Sequence, residues 1–190
     1  MASYQITGFD PFGYLTFKEL FKLIDDPLGL KLDEIHNDWW PLFKVSPGAK
    51  NNHHIWKGGY LDHVLDCMNI AVELYRLFQH RRPLNFSLSS ALAVLYLHDI
   101  EKPFKYVRSQ PNLETKIQRR EFRHQFVLEW DIPLNLEGMF ALDQTEDENE
   151  DYSANKRVMS ELAAFCHTCD TLSARVWFDF GISRSSQPAH

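Results

Sequence analysis

A histidine and an aspartate stand side by side at positions 98 and 99, and Lys102 follows three residues after the aspartate. The pair comes directly after an apolar run at residues 91–97. Imidazole nitrogen and carboxylate oxygen can both bind one divalent cation, and a lysine ammonium group can hold a phosphate as a point charge. His98, Asp99 and Lys102 therefore indicate metal-assisted chemistry on a phosphate, provided that further ligands lie elsewhere in the chain.

Two more residues have side chains that suit the same metal. His63 falls in the first turn of a predicted amphipathic helix, where a packed core histidine is the alternative interpretation. Asp170 falls inside a predicted apolar helix, where aspartate has poor helix propensity and is costly to bury without a partner. A bound metal would supply that partner.

The charges of the chain are unevenly distributed. Six of the acidic residues lie between positions 143 and 151, and they account for the whole net charge of −6. Residues 102–124 have the opposite bias, with seven lysines and arginines against two glutamates, a local balance of +5. A local positive field suits an anionic ligand, although a solvated helix face has a similar composition.

The elements that must position these residues are predicted from the spacing of apolar side chains and from turn residues. Apolar residues recur at three- and four-residue intervals, which predicts helices at residues 16–24, 30–40, 60–78, 89–97, 116–130, 136–142 and 153–178. Pro41 is predicted to stop the second helix and Ser89 to cap the fourth. No segment has a convincing strand pattern. The predicted fold class is therefore all-α.

The length of 190 residues suits a single domain. We expect a helical extension at 1–46 that begins with a surface segment at 1–13, a core at 47–180 with a solvated acidic loop, and a flexible tail at 181–190. The longest apolar run is far shorter than the ~20 residues that cross a bilayer, and the N-terminus lacks a signal-peptide pattern. Three cysteines do not make a disulfide framework, so the expected location is the cytoplasm.

Cys166 and Cys169 have the spacing of a zinc-binding pair. Structural zinc needs four ligands, and Cys67 is the one cysteine outside this segment. On a helix the two thiols would be neighbours along one side of the Asp170 element. Core packing is therefore the favoured interpretation of this motif.

The order of His63, His98, Asp99 and Asp170 resembles that of the HD-domain phosphohydrolases, and the resemblance extends over residues 47–178. Residues 52–63 contain a His-His pair, a Gly-Gly turn and then a further histidine, as in the entry segment of that family. Residues 98–102, His-Asp-Ile-Glu-Lys, are similar to a subgroup with His-Asp-Ile-Gly-Lys, and residues 169–175 resemble the family's final aspartate helix. The resemblance implies a helical bundle and one metal held by these four residues.

The resemblance also implies the metal and the roles of the residues around it. Two histidines and two carboxylates suit Mn²⁺, Fe²⁺, Co²⁺, Ni²⁺ or Zn²⁺ rather than Ca²⁺, with Mg²⁺ as an additional option. In catalysis Asp99 is expected to accept a proton and Lys102 to hold a phosphate oxygen. Glu101 stands where the subgroup has glycine, and it either assists the attacking water or points to solvent. Further phosphate contacts are predicted for His54, Lys57, Arg119, Arg123 and His124.

The function favoured by these features is metal-dependent hydrolysis of a nucleotide. The first hypothesis is a deoxynucleoside triphosphate triphosphohydrolase, with dATP among its substrates. Residues 47–63 are similar to the HD domain of bacterial 3′–5′ exoribonucleases, but the chain has no room for their OB-fold and its acidity disfavours a long polyanion. A 3′–5′ exonuclease, a 5′-nucleotidase and a non-catalytic nucleotide-binding domain are the alternatives. The expected partner is a small nucleotide and not a membrane, with a homo-oligomer as an open option.

Overall fold

The structure is a computed structural model that describes residues 14–51, 53–145 and 159–176. All regular secondary structure in these residues is helical, which confirms the predicted all-α fold class. The described part of the chain forms eight helices: α1 (Phe17–Phe21), α2 (Leu28–Phe43), α3 (Gly59–Arg81), α4 (Leu88–Leu97), α5 (Lys102–Tyr106), α6 (Lys116–Glu129), α7 (Leu136–Gln144) and α8 (Glu161–Val176).

Helix α4 is the centre of the bundle. Seven consecutive residues, 91–97, are buried, and α2, α3, α7 and α8 all contact this helix. A helix that is apolar on every side must be surrounded by other elements, because no face of it is compatible with water. The His-Asp pair follows at the end of α4, where His98 is the C-cap residue. The candidate site is therefore attached to the most deeply buried element.

Helices α3 and α8 pack against α4 and against each other. The three- and four-residue spacing that predicts a helix at 60–78 gives a buried face with Leu61, Val64, Leu65 and Met68, and the helix extends to Gly59–Arg81. Helix α8 occupies Glu161–Val176 of the predicted 153–178, and the remaining positions of that prediction lie outside the described residues. These two helices carry His63 and Asp170.

The prediction that Pro41 stops the second helix is wrong. Helix α2 begins at Leu28 and continues through Pro41 to Phe43. A proline inside a helix loses one hydrogen bond and costs about 3 kcal/mol or more. Leu42 and Phe43, directly after the proline, are buried in the core, and their burial offsets that cost.

The prediction that Ser89 caps the fourth helix is also wrong. Ser87 is the N-cap, and its Oγ accepts a hydrogen bond of 3.0 Å from the backbone N–H of Ser90. Ser89 is buried, and its Oγ accepts a hydrogen bond of 2.9 Å from the backbone N–H of Asp25. Several serines in this stretch can cap a helix, so the local sequence does not discriminate between them.

The other helix predictions differ from the structure mainly at their ends. The helix predicted at 16–24 is shorter in the structure, because α1 ends at Phe21, and the helix predicted at 136–142 is longer, because α7 ends at Gln144. Helix α6, at Lys116–Glu129, matches its prediction within one residue. Helix α5 was not predicted, since its five residues are too few for a clear period.

Some predictions fall on parts of the chain that lie outside the described residues. These are the surface segment at 1–13, most of the acidic loop and the tail at 181–190. Among the described helices, none is both long and apolar enough to cross a membrane.

Candidate active site

Two imidazole rings and two carboxylates from three segments of the chain meet at the inner end of α4. His63 Nε2, from α3, lies 3.1 Å from Asp170 Oδ1, 3.3 Å from Asp99 Oδ2 and 3.3 Å from His98 Nε2. His98 Nε2 lies 3.4 Å from Asp99 Oδ2 and 3.7 Å from Asp170 Oδ1. The structure therefore brings together the four residues that the sequence predicts as ligands.

The spacing of these donor atoms fits one metal ion. Ligand atoms at about 2.0–2.2 Å from a first-row ion lie roughly 2.8–3.6 Å from their neighbours in octahedral or tetrahedral coordination. Four of the five separations lie between 3.1 and 3.4 Å, within this range, and the fifth, from His98 Nε2 to Asp170 Oδ1, is slightly longer at 3.7 Å. Asp99 Oδ2 is also buried, and it contacts the ammonium group of Lys102 as well as the two histidines. This group of histidines and aspartates could therefore bind a divalent metal.

Cys67 lies beside the same cluster and was missed by the sequence analysis. Its Sγ is 3.8 Å from both ring nitrogens of His63, and single donor atoms of His63, Cys67, His98 and Asp170 all lie within 4.8 Å of one another. The spacing of four residues from His63 on one helix was the available signal. Burial raises the pKa of the Cys67 thiol well above its usual value. In the metal-free protein Cys67 is therefore a neutral thiol beside the four predicted ligands.

The backbone that carries the His-Asp pair is held in place from two sides. His98 Nδ1 donates a 2.6 Å hydrogen bond to the Leu95 carbonyl, which leaves Nε2 for the cluster. Arg123 Nη1 donates a 3.0 Å hydrogen bond to the His98 carbonyl and lies 3.4 Å from Glu101 Oε2. Glu101 is fully buried, so the alternative that it points to solvent is wrong.

Three of the predicted phosphate-binding residues contact protein groups instead. Arg123 is 2% exposed and makes the contacts described above. Arg119 Nη1 donates a hydrogen bond to the Glu114 carbonyl, and its Nε lies 3.9 Å from Glu101 Oε1. His124 Nε2 lies 2.7 Å from Asp143 Oδ1. None of these three residues lines the cavity at the cluster.

The other predicted phosphate-binding residues lie closer to the cluster or on the surface. Lys102 lines the cavity and contacts Asp99. His54 has no exposed surface, and its ring lies beside those of His53 and His63. Lys57 is exposed, and its role in substrate binding stays a prediction.

A cavity of about 390 Å³ opens at the cluster. It is lined by His53, Asp99, Lys102, His167, Asp170, Thr171, Ala174 and Arg175. The four residues from α8 other than Asp170 were not predicted, although their positions near Asp170 on one helix place them on neighbouring parts of its surface. Lys102 and Arg175 give the cavity two cationic side chains beside the carboxylates.

The charges of the cluster stabilise one another. Burial alone would lower the pKa of His98, but Asp99 and Asp170 raise it to about 10. Burial would raise the pKa of both carboxylates, but Lys102 and His98 hold that of Asp99 well below its usual range, and hydrogen bonds from the two histidines do the same for Asp170. Without a metal, a protonated His98 and Lys102 therefore balance the two carboxylates.

The Gly-Gly turn positions the His-His pair against the start of α3. Gly58 has a φ of +84°, in the left-handed region that favours glycine. A Cβ on Gly59 would overlap the His54 carbonyl oxygen, so this backbone approach requires a residue without a side chain. The two glycines thus allow residues 53 and 54 to lie directly over His63.

Comparison with known proteins gives one significant partial similarity. The chain is 28% identical over 65 residues to a protein of Methanocaldococcus jannaschii named dihydroneopterin 2′,3′-cyclic phosphate phosphodiesterase. The match covers 34% of this chain and 26% of that relative, so about a quarter of the relative is spanned. No family model and no solved structure matches the chain.

Proposed function

We propose that this chain is a metal-dependent phosphohydrolase of the HD-domain superfamily that acts on a small nucleotide. The observation that carries the proposal is the meeting of His63, His98, Asp99 and Asp170 at one buried point, in the chain order typical of that superfamily. Lys102 lines the same cavity, where a phosphate group would need a cation. The similarity to a protein named as a phosphodiesterase supports hydrolysis of a phosphate ester.

In this proposal the four residues hold one divalent transition-metal ion, chosen from Mn²⁺, Fe²⁺, Co²⁺, Ni²⁺ and Zn²⁺. When bound, such an ion supplies Lewis-acid activation of water and of a phosphoryl oxygen. His98 must lose its Nε2 proton to serve as a ligand, whereas Asp99 and Asp170 are already ionised. Burial around the cluster strengthens these electrostatic interactions.

The side chains at the cavity have separate proposed tasks. Lys102 and Arg175 bind phosphate oxygens and neutralise their charge. Asp99 accepts the proton of the attacking water. Lys102 is the strongest of the charges that lower the Asp99 pKa, so a phosphate that draws Lys102 away raises that pKa and makes Asp99 a better acceptor. Glu101 and Arg123 act through the backbone of His98 as positioning residues.

The substrate that we propose first is a deoxynucleoside triphosphate, with release of the deoxynucleoside and triphosphate. The cavity of about 390 Å³ is within the range of ~300–1,000 Å³ typical of small-molecule sites. A net charge of −6 suits a small anion held by local cations better than a long polyanion. A small cyclic phosphodiester is the second candidate, because the named activity of the similar protein is of that class.

A substrate panel separates these functions. The full chain is incubated with Mn²⁺, Co²⁺ or Mg²⁺ and offered the four dNTPs, nucleoside monophosphates, a 2′,3′-cyclic nucleotide and an end-labelled oligonucleotide. We expect triphosphate release from a dNTP. Ring opening of the cyclic nucleotide would favour the second candidate, and phosphate release or shortened oligonucleotides would indicate a 5′-nucleotidase or a 3′–5′ exonuclease. Tight nucleotide binding without any product would indicate a non-catalytic domain and contradict the proposal.

Two matched variants test the roles at the cavity. Asp99→Ala is expected to abolish both activity and metal binding, and full turnover after loss of the metal would rule out this mechanism. Lys102→Met is expected to weaken phosphate binding and raise KM. Lys105→Met is its control, because Lys105 follows one turn later but forms an ion pair of 3.1 Å with Glu114, away from the cavity.

A further inference from the structure

A second carboxylate on α3 lies behind the candidate metal site. Asp66 is 5% exposed and comes three residues after His63. Its Oδ2 lies 3.3 Å from His54 Nε2 and 3.5 Å from Ser173 Oγ, and its Oδ1 contacts the Tyr14 hydroxyl. A buried carboxylate needs donors on both oxygens, and these three groups supply them. Asp66 is not one of the four clustered residues.

One hydrogen-bond arm leads from Asp66 to His63. Ser173, on α8, has its Oγ 3.0 Å from His63 Nδ1. If His63 Nε2 binds the metal, Nδ1 carries the proton and donates it to Ser173 Oγ. The serine O–H then donates to Asp66 Oδ2, with the His63 carbonyl oxygen as a competing acceptor, also at 3.5 Å. The arm thereby keeps the His63 lone pair on Nε2.

The other arm leads from Asp66 to His53. His54 Nε2–H donates to Asp66, so His54 Nδ1 has the lone pair and accepts a 2.9 Å hydrogen bond from His53 Nδ1–H. The nitrogen left with a lone pair is Nε2 of His53, and His53 is one of the residues that line the cavity.

The backbone at His54 supports a specific role for this arm. His54 has a φ of +54°, an uncommon conformation for a residue with a Cβ. The Gly48 N–H donates a 2.8 Å hydrogen bond to the His54 carbonyl, and Gly59 leaves room for that oxygen. Strained backbone of this kind persists where surrounding contacts determine it, and it occurs preferentially at functional sites.

We propose that Asp66 is a positioning residue that sets the tautomers of both His63 and His53, and that His53 Nε2 is a further cation donor at the cavity. Donor atoms of His53, His54 and His63 lie within 4.8 Å of one another, and the ring centroids of His53 and His63 are 5.0 Å apart, so His53 is a neighbour of one of the four clustered residues. This inference rests on the proposed function, because it needs a cation at that cluster. It adds a fifth protein donor and an outer hydrogen-bond network to it.

The first test measures the tautomers directly. Long-range ¹H–¹⁵N correlation of the metal-free full chain, with ¹⁵N-labelled histidine, reports which ring nitrogen carries the proton. Without metal we expect the Nδ1–H tautomer at His53 and the Nε2–H tautomer at His54, and the same measurement on the Zn²⁺-loaded chain is expected to show the Nδ1–H tautomer at His63. Single His→Gln substitutions assign the signals. The opposite tautomer at His53 would overturn the proposal.

The second test compares carboxylate-to-amide changes on the same helix. In Asp66→Asn, the amide NH₂ replaces one carboxylate oxygen, so it presents a donor to one arm where an acceptor is needed. We therefore expect a changed tautomer at His53 or His63. We also expect the affinity for Mn²⁺ or Co²⁺ to fall about 10- to 100-fold. Glu73→Gln is the control, since Glu73 lies on the same helix with a half-exposed side chain and forms an ion pair of 3.9 Å with Arg76. An Asp66→Asn chain with unchanged tautomers and unchanged affinity would contradict the proposal.

Two further variants separate the arms. Ser173→Ala interrupts only the His63 arm, so His53 is expected to keep its Nδ1–H tautomer while Co²⁺ affinity falls. His53→Gln is expected to change the visible absorption spectrum of the Co²⁺-loaded chain, and an unchanged spectrum would exclude His53 as a donor. If the wild-type chain binds none of these metals, both the proposed function and the donor role of His53 are wrong. The tautomers measured without metal still test whether Asp66 is a positioning residue.

Discussion

Glu101 and Arg123 form a buried ion pair beneath the backbone of His98. Glycine is usual at position 101 in the similar subgroup, so the glutamate introduces a buried charge, which Arg123 neutralises. Removing one member of a buried pair typically costs about 3–5 kcal/mol, because the other charge is left without compensation. We therefore predict that Glu101→Ala lowers the free energy of unfolding by about that amount, measured by urea denaturation.

A double substitution distinguishes this positioning role from a catalytic one. Replacing both members, as in Glu101→Leu with Arg123→Met, removes both buried charges and is expected to restore most of the lost stability. If Glu101 instead assisted the attacking water, Glu101→Gln would lower kcat strongly at unchanged stability, which is the result that would contradict our interpretation.

His98 determines how metal binding responds to pH. Its pKa is raised to about 10 in the metal-free protein, above its ordinary value of about 6.5, so at neutral pH it holds a proton that a metal must displace. Metal affinity is therefore predicted to rise with pH by up to about tenfold per unit, and to level off above pH 10. Titration calorimetry in buffers of different ionisation enthalpy is expected to detect about one released proton at pH 7.5. Binding without proton release would show that His98 is neutral.

At the level of single elements, α4 determines where the His-Asp pair lies. Leu95 is fully buried, and its carbonyl accepts the hydrogen bond from His98 Nδ1. Leu95→Ala is predicted to cost about 2–5 kcal/mol of stability, because it leaves a cavity in a helix packed on all sides. Leu77→Ala on α3 is the control: Leu77 is 51% exposed, so its truncation is expected to change stability by less than about 1 kcal/mol. Equal losses in both variants would contradict the central position of α4.

The sequence predicts the helices correctly where the local spacing of apolar residues determines them. Helices α3 and α6 have regular apolar spacing and agree with prediction in their central turns. Pro41 and Ser89 were misread because burial of Leu42 and Phe43, and a contact with distant Asp25, outweigh local preference. Residue types and their order sufficed to predict the four clustered side chains.

The contacts around that cluster could not be predicted in the same way. Arg123 reaches the His98 carbonyl across 25 positions, and Ser173 reaches His63 across 110. A single sequence contains no signal for such pairs, because they depend on which helix faces meet after folding. The same reason explains why Arg123 was assigned to a phosphate while Arg175 and His53, which line the cavity, were not.

At the scale of the whole molecule, the candidate metal site joins three parts of the bundle: α3 through His63, the end of α4 through His98 and Asp99, and α8 through Asp170. An ion held there would bind the folded chain, in which these three parts meet. It would not bind the unfolded chain in the same way, because the four side chains are then apart. A ligand that binds only the folded state at 100 times its Kd adds about 2.7 kcal/mol of stability. For a domain of this size that corresponds to a rise in Tm of about 5–11 °C.

We therefore predict that saturating Mn²⁺, Co²⁺ or Zn²⁺ raises the Tm of the chelator-treated chain by several degrees in a thermal melt followed by circular dichroism. Asp170→Asn is expected to remain folded without metal but to lose the increase, because it removes one anionic ligand. Glu137→Gln, in the first turn of α7, serves as the control and is expected to keep the full increase. A Tm that does not respond to any of these ions in the wild-type chain would mean that the cluster is an ion-pair network of the core rather than a metal site.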